Sequence, residues 1–154
     1  MTPTHPRILI TGSRNWADGD AIRRAISTWG RGVGVHPQAV TVVHGGARGA
    51  DSLAAAIARD LGCHVEEHRA DWDTYGKSAG HRRNADMVNA GADVVLAFPL
   101  GASPGTRGCM RLAKAAGIPV FVYEPPTAGF PATDGGVLRL DDAPPDVTPQ
   151  PDAR

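Results

Sequence analysis

Apolar positions along the chain alternate between two rhythms. Short runs rich in β-branched residues are followed by alanine-rich segments whose apolar residues recur three or four apart, the strand and helix periods. The first run, Ile8-Leu9-Ile10-Thr11, stops at Gly12-Ser13. Asp18 or Asp20 can cap a helix over residues 21–29, whose stripe is Ala21, Ile22, Ala25, Ile26 and Trp29. A second run at 40–44 ends at Gly45-Gly46, and a helix is predicted from 49 to 61, stopped by Gly62. Residues 63–68 read as a third, more polar strand. A loop carrying Trp72 and Tyr75 precedes a helix over 80–89. The run at 92–98 contains Val94-Val95-Leu96-Ala97-Phe98, which has no polar face and predicts a strand covered on both sides. A further glycine-rich turn leads to a helix near 107–116, ended by Gly117, and residues 118–123 give a fifth strand.

This order predicts an α/β, Rossmann-like, doubly wound fold. Its sheet is mainly parallel, of about five or more strands, with helices on both faces. Crossovers of one hand then set the strand-to-helix turns along the carboxyl edge, where ligands of open α/β sheets bind. Residues 1–123 make up this domain. From 124 to 154 the chain holds seven of its thirteen prolines and reads as a partly disordered extension, with a short strand at 137–140.

The 154 residues suit one domain, and 42% hydrophobic content supplies a core. Lys plus Arg and Asp plus Glu both total 16, so the chain lacks the basic excess of a non-specific nucleic-acid binder. That balance argues against nucleic acid as a partner. Cys63 and Cys109 form no metal or redox spacing and point to a reducing compartment. No apolar leader or membrane-length run is visible, which predicts a cytoplasmic protein without a membrane partner. His44, His64, His68 and His81 stand without second ligands, so no metal is expected. Neither a triad elbow, a P-loop nor a G-x-G-x-x-G dinucleotide turn occurs, and no bound cofactor is called for.

Three glycine-rich turns fall on the predicted carboxyl edge. Gly45-Gly46-Ala47-Arg48-Gly49-Ala50-Asp51 lies between a strand and a helix, where glycines let a phosphate approach main-chain N–H groups. Arg48 can clamp that phosphate, while Asp51 can cap the helix or accept from ribose hydroxyls. The same residues also make an ordinary tight turn. Gly12-Ser13-Arg14-Asn15-Trp16 offers a hydroxyl, a charge and an indole that either stacks a base or packs on the sheet. Gly101-Ala102-Ser103-Pro104-Gly105-Thr106-Arg107 brings Gly105 and Thr106 to a helix start. His81-Arg82-Arg83-Asn84 sets two arginines at another helix start, which calls for an anion nearby or makes a solvated basic face. Trp72, in the loop beginning Asp71, either closes over a ligand or seals the core edge.

Gly12-Ser13-Arg14-x-Trp16, Gly45 to Asp51, Ala70-Asp71-Trp72, Arg83-Asn84-x-x-Met87 and Gly105-Thr106 together resemble the YspA-like branch of the SLOG superfamily. That superfamily groups Rossmann-like domains with the LOG, or lysine-decarboxylase-like, phosphoribohydrolases and the DNA-processing protein DprA. The resemblance implies a nucleotide ligand and, by family analogy, a homodimer. In the LOG enzymes, which split nucleoside 5′-monophosphates into base and ribose 5-phosphate, a helical R-K-x-x-M motif matches Arg83, Asn84 and Met87. Their P-G-G-x-G-T-x-x-E turn matches the stretch through Gly105 and Thr106, with Cys109 at the catalytic glutamate. A thiol cannot stabilise the oxocarbenium-like charge of N-glycoside cleavage as a carboxylate does. Asp51 or Asp71 would have to replace it.

Three functions follow. The first is a sensor or sequestering module for a nucleotide or an NAD-derived molecule such as ADP-ribose. Its ligand residues are Gly12, Ser13, Arg14, Trp16, Gly45, Gly46, Ala47, Arg48, Gly49, Asp51, Trp72, Arg83, Asn84, Gly105 and Thr106. The second is a nucleotide N-glycosidase with Arg83 and Asp51 as its catalytic pair. A single-stranded DNA module is the third, and it needs a basic channel.

Overall fold

The central β-branched runs pair side by side because each has apolar side chains on both faces. In the computed structural model, which describes residues 5–125 and 137–138, the elements follow the order read from the sequence. They are β1 (Arg7–Gly12), α1 (Gly19–Val33), β2 (Thr41–His44), α2 (Ala50–Leu61), β3 (His64–Glu67), α3 (Trp72–Tyr75), α4 (Ala79–Ala90), β4 (Val94–Phe98), α5 (Pro104–Ala115), β5 (Val120–Glu124) and β6 (Val137–Leu138). The sheet order is β3-β2-β1-β4-β5-β6. The first five strands are parallel and β6 joins β5 antiparallel, so the fold is the Rossmann-like α/β sheet that the pattern predicts.

Alternation along the strands divides the core in two. Ile8, Ile10, Val42, Leu96 and Phe98 face α1 and α2, where Ile22, Ile26, Trp29, Ala54 and Ile57 cover them. Leu9, Val43, Val95 and Ala97 face the other way, against Met87 and Val88 of α4 and Met110 and Ala113 of α5. All five residues of β4 are buried, as its unbroken apolar run requires. At the β3 edge the sheet is held by charge instead. Arg7 Nη1 and Nη2 each donate to Glu66 at 2.8 Å, and this pair with His68 holds the Glu66 carboxyl down at about 2.

Several bounds differ from the pattern for local reasons. Helix α1 runs on to Val33, because Gly30 and Gly32 are tolerated inside a helix; it ends where Gly34 turns left-handed at φ 73°. Of its two candidate caps, Asp18 accepts from the Ala21 N–H. Helix α5 starts three residues early, at Pro104, whose missing N–H costs nothing at a first helical position. The stretch with Trp72 and Tyr75 is one helical turn, capped by Asp71 and followed by a 3-10 turn at Gly76–Ser78, instead of a plain loop. Val137–Leu138 provides part of the strand expected at 137–140, while 139–140 and most of the proline-rich extension lie outside the described residues. Among the described residues, no helix is long and apolar enough to cross a membrane.

Candidate functional site

Strand order reverses between β1 and β4, and there the turns leaving the two strands separate to form a crevice. A cleft of about 670 Å³ opens at this point. Its walls come from the turn after β1 (Gly12, Ser13, Arg14), from α4 (Arg83, Asn84, Met87) and from the start of α5 (Ser103, Gly105, Thr106). A second compartment of about 590 Å³ continues toward β2 and β3, lined by Gly45, Gly46, Arg48, Arg69 and Ala70. Arg14, Ala47, Trp72 and Arg83 line both.

The amino end of α5 has open backbone donors at the cleft wall. Pro104 has no N–H, and among the described residues the N–H groups of Gly105 and Thr106 find no acceptor and no side chain caps the helix. Ser103, directly before it, is left-handed at φ 39°, the one such non-glycine among the described residues. Its hydroxyl donates to Thr106 Oγ1 at 3.0 Å and so fixes the threonine hydroxyl at the cleft wall. A left-handed serine costs about 1 kcal/mol or more and turns its chain to leave these donors open.

Arg83 and Asn84 act as a unit. Arg83 Nη1 donates to the Gly45 carbonyl in a short bond, and its Nε donates to Asn84 Oδ1 at 2.8 Å. Asn84 is buried and donates in turn to the Gly105 carbonyl at 3.2 Å. Asparagine therefore serves as a brace between the arginine and the first turn of α5, with one amide hydrogen still unassigned at the cleft wall. Among the described residues the Arg14 side chain has no hydrogen-bond or ion-pair partner, and it is exposed at the junction of the compartments.

Other sequence expectations are corrected by the packing. Trp16 is 5% exposed, edge-on to Phe98 at 5.3 Å, with its indole N–H donated to the Asp18 carbonyl, so it offers no face to a base. Trp72, 49% exposed on the shared wall, is the free aromatic. The Gly45-Gly46-Ala47 turn does not present its N–H groups to a phosphate. Asp51 Oδ2 accepts from Gly45 and Ala47, and His44 Nδ1 accepts from Gly46. Gly12 and Gly49 are spacers: a Cβ at Gly12 would lie 2.5 Å from that of Ala50, and one at Gly49 would lie 2.4 Å from the Ser13 carbonyl oxygen. Ser13 accepts from the Asn15 N–H through its hydroxyl and from the Ala50 N–H through its carbonyl, which leaves its own O–H to donate at the cleft wall. Arg48 lines only the second compartment. Ser103, Lys77, Arg69 and Arg111 line the site without having been singled out. A serine directly before a helix-opening proline was the available signal for Ser103; the other three have none in sequence.

Burial pushes the Asp51 carboxyl up to about 6, against the opposing pull of its two backbone bonds and of Arg83 and Arg14. Cys109 is wholly buried, its thiol pushed up to about 11 by burial despite a hydrogen bond with Thr11, and the Asp51 charge acts on it. Asp51 holds its proton more tightly folded than unfolded, so its unfavourable contribution grows as pH rises from about 4 through 6. Two pKa units correspond to about 3 kcal/mol. Relative to Asp51→Asn, the wild type is expected to lose about 2 kcal/mol of stability between pH 4.5 and 7.5, read from urea midpoints. Parallel curves for the two proteins would show that the carboxyl is not strained.

Residues 6–75 match the family described as YspA, cpYpsA-related SLOG. The chain is 54% identical over 124 residues to the Gene 61 protein of Mycobacterium phage D29, across 76% of this chain and 95% of that protein. Its fold is similar to the X-ray structure of DNA processing protein A (DprA) from Streptococcus pneumoniae, with a TM-score of 0.61 and 16% identity over 84% of this chain. The match spans 52% of DprA, about half its length, and at that identity the likeness is one of fold. A fold shared with a DNA processing protein removes any argument from architecture against nucleic acid; only the neutral charge balance argues that way.

Proposed function

The chain belongs to the YspA, cpYpsA-related SLOG family, and from that premise we propose that it binds a nucleotide or an NAD-derived molecule such as ADP-ribose as a sensor or sequestering module. The observation that carries this reading is the open amino end of α5. Two unpaired N–H groups, the Thr106 hydroxyl and the guanidinium groups of Arg14 and Arg83 converge on one cleft at the strand-order switch. A phosphate there gains the helix dipole and charge-assisted bonds together. Trp72 gives a base or ribose an apolar face at the shared wall.

Gly105→Glu tests this with effects of opposite sign. No atom lies within 4 Å of a Cβ added at Gly105. A glutamate in a first helical turn gains about 1 kcal/mol from propensity and dipole together. The same charge repels an anion. The variant is expected to melt slightly higher and to lose nucleotide binding at least a hundredfold by calorimetry; wild-type binding would remove the phosphate from α5.

A second reading, N-glycosidase, has one observation in its favour. The buried Asp51 carboxyl lines the cleft beside Arg83 and acts on Cys109, the position at which the LOG glutamate falls. Incubating near-stoichiometric protein with AMP, NAD and ADP-ribose, followed by mass spectrometry, separates the two. Intact ligand retained on the protein supports the sensor, and free base with ribose phosphate supports the hydrolase.

A further inference from the structure

The second compartment has its own chemistry. Arg48, Arg69 and the shared Arg14 and Arg83 bring four guanidinium groups around about 590 Å³. Their countercharge is small. Glu67 pairs with Arg69 at 2.7 Å, and Asp51 is buried behind the β2 turn. Arg48 and Arg14 are exposed and make no ion pair among the described residues. In a chain of zero formal charge, such an excess on one concave wall is a local field for an anion.

Size points the same way. Either compartment alone falls within the roughly 300–1,000 Å³ of a complete small-molecule site. They are joined along a wall of Arg14, Ala47, Trp72 and Arg83. A nucleoside monophosphate with its phosphate at α5 leaves the arginine compartment to water. The main-chain donors of Gly45, Gly46 and Ala47 are already used, so recognition in that compartment falls to the arginine side chains.

We propose that the Arg48–Arg69 compartment is a second anion subsite, so that the ligand is a nucleotide carrying a further phosphate beyond the one held at α5. This rests on the nucleotide-binding reading above and narrows its ligand class. The ligand lies along the shared wall, with Arg14 and Arg83 beside its anionic groups and Trp72 against its sugar or base. A dinucleotide joined through a pyrophosphate and a nucleoside bisphosphate both have this chemistry.

The test is calorimetry of the full chain with AMP, ADP-ribose, adenosine 3′,5′-bisphosphate and a ten-residue oligothymidylate, on wild type and on Arg48→Ala/Arg69→Ala. The wild type is expected to bind at least one of the two-phosphate ligands tenfold or more tighter than AMP. The double variant is expected to lose that advantage while holding AMP within threefold of wild type. Binding AMP with no preference for a second phosphate, or a preference that survives in the double variant, overturns the subsite and leaves nucleotide binding intact. Failure to bind any of the nucleotides overturns the underlying reading as well. Oligothymidylate bound tighter than every nucleotide, and lost in the double variant, overturns the proposal in favour of a nucleic-acid surface.

Discussion

Arg83→Ala is expected to weaken nucleotide binding by at least a hundredfold, the largest loss of any single side chain in the cleft. A hydrogen bond between charged groups contributes about 1.5–3 kcal/mol, and tenfold in affinity is about 1.4 kcal/mol, so the phosphate contact alone brings one to two decades. The brace adds the rest. Without the guanidinium, Asn84 Oδ1 and the Gly45 carbonyl lose their donors, and the link from the β2 turn through Asn84 to Gly105 is cut at its source. Two lost hydrogen bonds cost about 2 kcal/mol of stability, so the variant should also melt lower. Arg83→Lys separates charge from geometry. An ammonium keeps the charge but cannot reach Gly45, Asn84 and a phosphate with one planar fork. It should therefore recover little of the lost affinity. Binding by Arg83→Ala within threefold of wild type would exclude Arg83 from the site, and full rescue by lysine would reduce it to a point charge.

The architecture was legible because its determinants are local. β4 has to be a central strand once five consecutive apolar residues are bounded by turns, and Gly62 stops a helix through its own backbone freedom. The edge on which the turns gather follows from strand–helix alternation alone, and with it the neighbourhood of Arg14, Arg83 and Thr106. Individual roles in the site depend on partners far along the chain, which periodicity does not contain. Asn84 is committed by a carbonyl 21 residues on, and Trp16 by Phe98 across the sheet. The glycine-rich turn after β2 is the clearest case. A carboxylate six residues beyond Gly45 folds back and takes the N–H groups that an open turn would offer a phosphate. The phosphate-binding pattern and the self-satisfied turn share one sequence, and only the direction of the Asp51 side chain separates them.

Gly49 decides which of those two descriptions its own turn deserves. Its backbone sits at φ 78°, ψ −125°, where a Cβ is strained in any surroundings, and here the Cβ would lie 2.4 Å from the Ser13 oxygen and 2.5 Å from the Arg14 carbonyl carbon. Both obstacles are main chain, so no side-chain rotation relieves the clash. To admit a methyl group, α2 must withdraw from the turn after β1, which breaks the Ala50 N–H bond to Ser13 and opens the packing of Gly12 on Ala50. Gly34→Ala is the matched control: its φ is also positive, at 73°, but nothing lies within 4 Å. Conformational strain alone should cost the control about 1 kcal/mol. Gly49→Ala should cost at least about 3 kcal/mol, a large part of the 5–15 kcal/mol that holds an ordinary domain together. Urea midpoints of the two variants measure the difference directly. Equal losses, with nucleotide binding abolished only in Gly49→Ala, would mean that this glycine makes room for the ligand and not for the neighbouring turn.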